Sequence, residues 1–332
     1  MHCHSQFHQA KQEGVCLDKN SESLVSIIIV NWNSGNQLFK TVSSIDTYHS
    51  NLVSRVIVVD NASNDTSINQ LDAIEAHSFQ LQIVHNTENR GFAAACNQGA
   101  TNCKTDYLLF LNPDTRLFED SLTKSISFME QPSNTNIGIC GIHLVDEIGN
   151  SSTCAARFPT LRVMMGKILG ISKIFPKTFP EHLMLTSDLR ENCVVDQVIG
   201  AFFLIRKNVF ESCGGFDERF FVYFEEVDLS LRAKQNGYSS CFLADAKAFH
   251  KGGGCSGQVK AARLFYSLRS RIIYAQKHYS FTEFVALILL TFLEFPLRLI
   301  LGLVRVSWSE IKNTLIAYAQ LITYFYRRAR WS

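Results

Sequence analysis

The sequence predicts an α/β domain built on a mostly parallel sheet with helices on both faces, followed by a C-terminal helical segment. Three observations lead there. Nearly unbroken apolar runs recur through the first third of the chain, at 25–30 (VSIIIV) and 55–59 (RVIVV), where β-branched residues dominate, and at 107–111 (YLLFL). Segments of helical periodicity separate them, and each run ends abruptly in Asn and Asp. A strand apolar on both sides is buried on both sides, and strands alternating with helices make a parallel sheet that the helices cover.

The first strand, 25–30, feeds the polar turn Asn31-Trp32-Asn33-Ser34-Gly35, and a helix follows in which Leu38, Val42 and Ile45 line one face. The second strand, 55–59, closes on Asp60-Asn61-Ala62-Ser63-Asn64-Asp65. A helical segment and a third strand at 81–84 then lead to Asn89-Arg90-Gly91-Phe92. A helix over 93–100 precedes the fourth strand, 107–111, which stops at Asn112-Pro113-Asp114. Beyond it the regular alternation ceases. Residues 200–206 (GAFFLIR) read as a strand, 213–217 (CGGFD) as a tight turn, and 225–236 as a helix stopped by Gly237. A short strand at 246–249 runs into His250 and a string of glycines.

Composition narrows the function classes. The 332 residues are 46% hydrophobic and 19% charged, and the net charge of +2 lacks the basic bias of a nucleic-acid binder, so no nucleic-acid partner is expected. Ten cysteines are scattered from Cys3 to Cys255 without a C-x-x-C pair, which fits buried thiols in a reducing compartment better than a disulfide framework. The N-terminus carries His2, His4 and His8 and no apolar core, so 1–23 reads as a loose tail and not as a signal peptide.

In parallel sheets ligands bind beyond the carboxyl ends of the strands. Here three such ends carry polar side chains: Asn31 and Asn33, Asp60 and Asn61, Asn112 and Asp114. Each alone is an ordinary turn former; their repetition marks a crevice. Asp114 faces that crevice from the end of a buried strand, where one or two carboxylates suffice to hold Mg²⁺ or Mn²⁺ against a diphosphate. His250 is a possible further ligand, although a lone histidine also serves structure. The glycines behind it let backbone N–H groups approach a phosphate. They match G-x-G-x-x-G over 252–257 by letter only, since they lie late in the chain with no acidic partner ~20 residues on.

The stretch 220–228 (FFVYFEEVD) places Glu225, Glu226 and Asp228 at the start of a helix, behind a run of aromatics. Acidic residues at a helix start gain well under ~1 kcal/mol each from the macrodipole. Two adjacent carboxylates behind rings suit something more: a general base for a sugar hydroxyl, with the rings stacking on the sugar.

In this order the motifs SIIIVNWNS, VIVVDNASND, NRGFAAACNQG, YLLFLNPDT, GAFFLIRKNVFESCGGFDERFFVYFEEVDLSLR and FHKGGG resemble those of a family 2 glycosyltransferase. They are closest to the bacterial rhamnosyltransferase-like group that builds cell-surface polysaccharides, and the resemblance covers 25–279. It implies a GT-A fold, with a catalytic domain over 24–258 divided into a nucleotide-binding half (24–118) and an acceptor half (119–258), and a helical segment over 259–332. It implies a nucleotide-sugar donor, dTDP-rhamnose by preference, held by Asn31, Asn33, Asp60, Asn61, Arg90, Asn97 and Asn112. Asn112-Pro113-Asp114 stands where the family has D-x-D, with Asp114 on the metal side, Asn in place of the first Asp, and His250 a metal or diphosphate ligand. The family's base is usually the Asp of a Glu-Asp pair; here the pair reads Glu225-Glu226, which makes Glu226 the candidate, with Glu225 and Asp228 beside it. Asp217 and Tyr223 would meet the acceptor, a saccharide or a polyprenyl-diphosphate-linked saccharide. The implied reaction is a single displacement with inversion.

Two other readings compete with this one. A nucleotidyltransferase would show a Gly-rich basic loop after the first strand, and a non-catalytic glycan binder would not need Asp114 and Glu226 together.

In the last segment Arg263, Arg269, Arg271 and Lys277 lie among aromatics, either as a surface for an anionic diphosphate or as a solvated helix face. The apolar run 284–293 is shorter than the ~20 residues that span a bilayer and is interrupted by Glu294, Pro296 and Arg298. At ~100° per residue Glu283, Glu294, Arg298 and Arg305 form one stripe, which predicts a helix lying in a membrane interface and kinked at Pro296. The basic-aromatic end from Tyr324 to Trp331 suits a headgroup layer. Packing on the catalytic domain or in a homodimer interface is the competing arrangement. The expected location is peripheral, on the cytoplasmic face of the inner membrane.

Overall fold

The structure is a computed structural model in which residues 24–74, 79–184, 189–252 and 259–331 are described, with side chains as far as Arg327. The tail at 1–23, the glycine loop past Gly252 and the side chains of Arg328, Arg330 and Trp331 lie outside the described residues.

The first run of elements is β1 (Val25–Asn31), α1 (Gln37–His49), β2 (Val53–Asp60), β3 (Gln80–His85), α2 (Phe92–Ala100) and β4 (Tyr107–Leu111). Their strands pair in the order β3-β2-β1-β4, all parallel. Every residue of β1 and β4 is buried, as strands covered on both faces must be. The helical segment expected between β2 and β3 is a single 3₁₀ turn, Asn69–Ala73. Where α2 packs on β1 and β2, Gly99 permits the approach, since a Cβ there would stand 2.5 Å from Ile28 Cγ2.

Past β4 come β5 (Thr115–Leu117), α3 (Ser121–Met129), β6 (Ile137–Val145), β7 (Ala155–Ala156), α4 (Leu161–Leu169), β8 (Cys193–Val195), β9 (Gln197–Val198), β10 (Phe202–Arg206), α5 (Lys207–Ser212), α6 (Glu225–Gln235) and β11 (Ser239–His250). β10 joins β4 antiparallel, β6 joins β10 antiparallel, and β11 runs parallel to β6. β5 and β8 pair antiparallel with β11, and β7 with β9 forms a small second sheet. The main sheet is thus parallel through β4 and mixed beyond it, because β10 enters reversed.

β6, in mid-sheet, is a strand that the sequence did not announce. Its glycines are there for space: a Cβ on Gly141 would stand 2.5 Å from Val198 Cβ. Gly141→Ala is expected to lose about 1–3 kcal/mol through overpacking. The midpoint of urea unfolding would fall at unchanged m-value.

The chain divides into two compact units. One runs through Arg157 and includes Leu183–Glu218 and Glu226–Gly254. It contains the sheet and a single large apolar core. The other gathers Phe158–His182, Arg219–Glu225 and the chain from Cys255 on. It is a helical unit of α4, α7 (Lys260–His278), α8 (Phe281–Val304) and α9 (Trp308–Trp331).

α8 starts with a capping box between Ser280 and Glu283 and continues past Pro296. Its buried residues are Leu287, Thr291, Glu294 and Gly302, so of the stripe read from the sequence Glu294 is packed inside and Arg298 is half-buried, while Glu283 and Arg305, at the two ends, are exposed. Glu294 there is paired with Arg271 of α7 at 2.7 Å. The opposite side is apolar and open, with Leu289 66%, Ile300 55% and Val304 74% exposed. α8 thus turns its central polar residues, Thr291 and Glu294, inward and leaves an apolar side open. It is longer than the apolar run suggested, and among the described residues it is long and apolar enough to cross a membrane.

Candidate active site

The site lies at the carboxyl ends of β1, β2 and β4. The turn after β4 is fixed from four directions. Thr115 N–H donates to the Asn112 carbonyl at 3.1 Å, and Asn112 N–H donates to Ala201 at 3.1 Å, just before β10. The Thr41 hydroxyl of α1 donates to the Pro113 carbonyl at 2.8 Å, and Lys251 N–H to that of Asp114 at 3.2 Å.

Asp114 meets His250 because of a register shift. The β11–β6 ladder slips between Leu243 and Lys247, and the end of β11 then pairs with β5, setting His250 opposite Thr115. His250 Nε2 stands 3.4 Å from Asp114 Oδ1, with the two side chains 15% and 7% exposed. No group of three metal-ligating side chains occurs among the described residues. Mg²⁺ and Mn²⁺ sites on nucleotide substrates commonly need only one or two protein ligands, the phosphates and waters supplying the others. An oxygen and a ring nitrogen facing each other in a shielded corner fit that role.

The polar residues after β1 and β2 divide by burial. Asn31 is fully enclosed, and its amide donates to Asp60 Oδ1 at 2.9 Å and to the hydroxyls of Ser63 and Ser67, while its carbonyl accepts from Ser34. Asn61 is equally committed, donating to the Gly91 carbonyl and accepting from Asn86 and from Arg90 N–H. Both were expected to touch the nucleotide; in this structure their amides are hydrogen-bonded inside the protein, where they brace the loops. Asn33, at φ +50°, ties the two loops together through the Asn64 N–H at 2.8 Å. The Arg90 guanidinium is exposed and makes no ion pair among the described residues, while Asn61 holds its backbone.

Asn97 also serves structure. It donates to the Phe216 carbonyl at 2.8 Å and to Glu218, and accepts from Phe216 N–H, which fixes the turn bearing Asp217. Gly214 and Gly215 take φ of +76° and +71° there. Asp228 is buried and held by Arg232 at 2.7 Å, and Arg232 also bonds the Cys213 carbonyl, which fastens α6.

Glu226 is different. Burial pushes its carboxyl pKa above the ordinary 4.5, with the backbone N–H groups of Glu226 and Val227 pulling partly the other way. Oε2 is shielded from solvent and has no hydrogen-bond partner among the described residues. Buried polar atoms are ordinarily paired, so an orphan acceptor on a carboxylate asks for a missing donor. Gly200 borders this side chain: a Cβ there would reach only to 3.9 Å from Glu226 Cγ, with nothing nearer. The neighbouring Ala201 carbonyl holds Asn112, so Glu226 and the Asp114 turn flank one strand end. Gly200 went unnoticed in the sequence, where its one signal was a small residue at the mouth of a strand.

The aromatic run before α6 belongs to the helical unit and packs there. Phe220 is fully buried, Phe221 stacks on Tyr266 at 4.4 Å between centroids, and Phe224 contacts Tyr274. Two rings of the expected sugar-stacking wall, Phe221 and Phe224, thus pack on rings of the helical unit. Glu225 is buried at the start of α6. Tyr223 and Phe224 carry positive φ, +68° and +71°.

The sequence profile described as glycosyl transferase family 2 matches residues 26–214. The rhamnosyltransferase WbbL of Escherichia coli K12 is 31% identical over 148 residues, 44% of this chain and 52% of its own. The N-acetylglucosaminyl-diphospho-decaprenol L-rhamnosyltransferase of Mycobacterium tuberculosis is 23% identical over 273 residues, 77% of this chain and 85% of its own. The chain thus spans about half the length of WbbL. Among solved structures, a mannosyltransferase from Pyrobaculum calidifontis, in complex with GDP-Man and Mn²⁺, covers 92% of this chain and 88% of its own at TM-score 0.51 and 15% identity. GalNAc-T7, with UDP, GalNAc and Mn²⁺, covers 70% of this chain and 44% of its own at 0.53 and 16%. Both likenesses are of fold, and that fold is GT-A.

Proposed function

As this chain belongs to glycosyl transferase family 2, we propose that it is an inverting hexosyltransferase moving a sugar from a nucleotide diphosphate to an acceptor hydroxyl. The sugar is L-rhamnose, which the names of its rhamnosyltransferase relatives suggest, and dTDP-rhamnose is the donor. A saccharide linked to a polyprenyl diphosphate is the acceptor that the mycobacterial relative's name suggests. The observation that carries the reading is the Glu226 carboxylate, with an unpartnered shielded oxygen beside Gly200, on the same strand end as the Asp114–His250 corner.

Glu226 Oε2 accepts the acceptor hydroxyl and takes its proton as the new bond forms at the anomeric carbon. Its raised pKa makes the carboxylate a stronger base than an exposed Glu. Arg90 faces the diphosphate from a loop that Asn61 fixes, and Asp60, fastened by Asn31, presents a carboxylate toward the ribose. Asp114 and His250 would hold Mg²⁺ or Mn²⁺, which when bound supplies positive charge against the departing diphosphate.

The outward apolar side of α8 supports a site of action at a membrane, on the cytoplasmic face where nucleotide sugars are available. A panel of nucleotide sugars tests the whole reading. One donor should release nucleoside diphosphate in a manner that depends on both Asp114 and Glu226. Saturable sugar binding with no donor cleavage across the panel would make the protein a glycan binder.

A further inference from the structure

A cationic cluster sits inside the helical unit with too little negative charge to balance it. Glu294 of α8 accepts from Arg271 of α7 at 2.7 Å and from Arg298 Nε, one turn along α8, at 2.7 Å. Arg271 also donates to Thr291 Oγ1 at 3.0 Å, and its Nε is buried without a hydrogen-bond partner among the described residues. Lys167 of α4 is the third cation. α4 packs on α7 and α8 through Val163, Met164, Ala275 and Leu287, which brings Lys167 near enough for the charges of Arg271, Glu294 and Arg298 to act on it. Among the described residues, three cations against one carboxylate leave two positive charges unmatched.

The cluster is graded in access. The Arg271 side chain is 9% exposed, that of Arg298 is 40% exposed, and Lys167 is exposed. An anion can therefore reach Lys167 and Arg298, with Arg271 beneath them. The flank beside it is apolar. Leu301 follows Arg298 by three positions and so shares its side of the helix, at 49% exposure, and Leu293 at 47% continues toward the open face. Charge and oil meet along one edge of α8.

We propose that Lys167, Arg271 and Arg298 form a binding site for the phosphate head of an amphiphile, whose hydrocarbon chain lies on the Leu301–Leu293 flank. A carboxylate between two arginines holds their guanidinium groups in place, so that the site is formed before the ligand arrives. Nothing in this site depends on the donor chemistry or on Glu226.

The test is flotation of the full chain with vesicles of phosphatidylcholine doped with either phosphatidic acid or phosphatidylglycerol, at matched surface charge. Matching cancels general attraction to an anionic surface, which any basic protein shows. The wild type is expected to prefer phosphatidic acid by about tenfold, as two directed cations would give. Lys167→Gln/Arg298→Gln should lose that preference, while Arg305→Gln/Lys312→Gln, which removes the same charge, should keep it. Lys167→Gln alone, which leaves the Glu294 pairs untouched, should lose part of it and covers the case in which the double variant fails to fold.

Equal binding of the two vesicles by the wild type, or equal loss in both double variants, would overturn the site. Inorganic diphosphate binding as tightly as the vesicles, by calorimetry, would assign it to a free phosphate and overturn the lipid. Donor cleavage should persist in Lys167→Gln, so failure here and failure of the transferase reading show up in different assays.

Discussion

Glu226→Gln is expected to bind the nucleotide sugar normally and to transfer it some 10²–10⁴ times more slowly, the usual worth of a positioned general base. The substitution keeps the shape and removes the proton acceptor. Stopped transfer with an unchanged donor dissociation constant, from calorimetry and steady-state rates, is the expected pattern; near-normal turnover would sink the assignment. The wild-type rate should rise with pH through an inflection above the ordinary carboxylate range, because burial raises the Glu226 pKa. Stability should run the opposite way. The folded-state pKa lies above the unfolded one, so stability is greatest below the unfolded pKa and is lost as pH rises through the folded one. Glu226→Gln should therefore unfold at a higher temperature than the wild type at neutral pH, and show little difference in acid.

Asp114→Asn is expected to lower transfer by about 10³-fold at a fixed concentration of Mn²⁺, in line with the several kcal/mol that a bound divalent ion contributes to a departing charge. The carboxylate lies 3.4 Å from His250 with its backbone pinned by Lys251, so the amide should keep the fold and lose the charge. Donor affinity should weaken in the presence of Mn²⁺ and be little changed in its absence. Titrating the metal against both proteins separates the two cases, and a variant with wild-type Mn²⁺ response would remove Asp114 from the site.

β1, β2 and β4 were legible because each is an apolar run buried on both faces, the pattern of a covered parallel strand. β6 was not, since two glycines and a cysteine dilute its strand signal, and the glycines are demanded by Val198 and Tyr238, which lie far off in sequence. The reversal of β10 was invisible for a related reason: nothing in GAFFLIR encodes the direction of its neighbour. In the site, Asp114, His250 and Glu226 could be picked out because chemistry and position agreed. Asn31, Asn61 and Asp228 shared the same letters and positions, and nothing in the sequence signalled the hydrogen bonds they make with Ser67, Asn86 and Arg232. On α8, the period revealed the stripe but not which way it faced, because helical periodicity is the same for a helix in water and one turned inside out.

Tyr223 and Phe224, consecutive L-residues at positive φ just before α6, bear on how this protein would respond to selection. Each such residue stores on the order of 1 kcal/mol or more that glycine would not. A library sorted for heat resistance alone would be drawn to glycine at 223 and 224, and would thereby soften the turn from which the Glu226 helix departs. Survivors of such a screen should be sturdier proteins and poorer transferases, so the two positions mark where breeding for robustness and breeding for turnover part company.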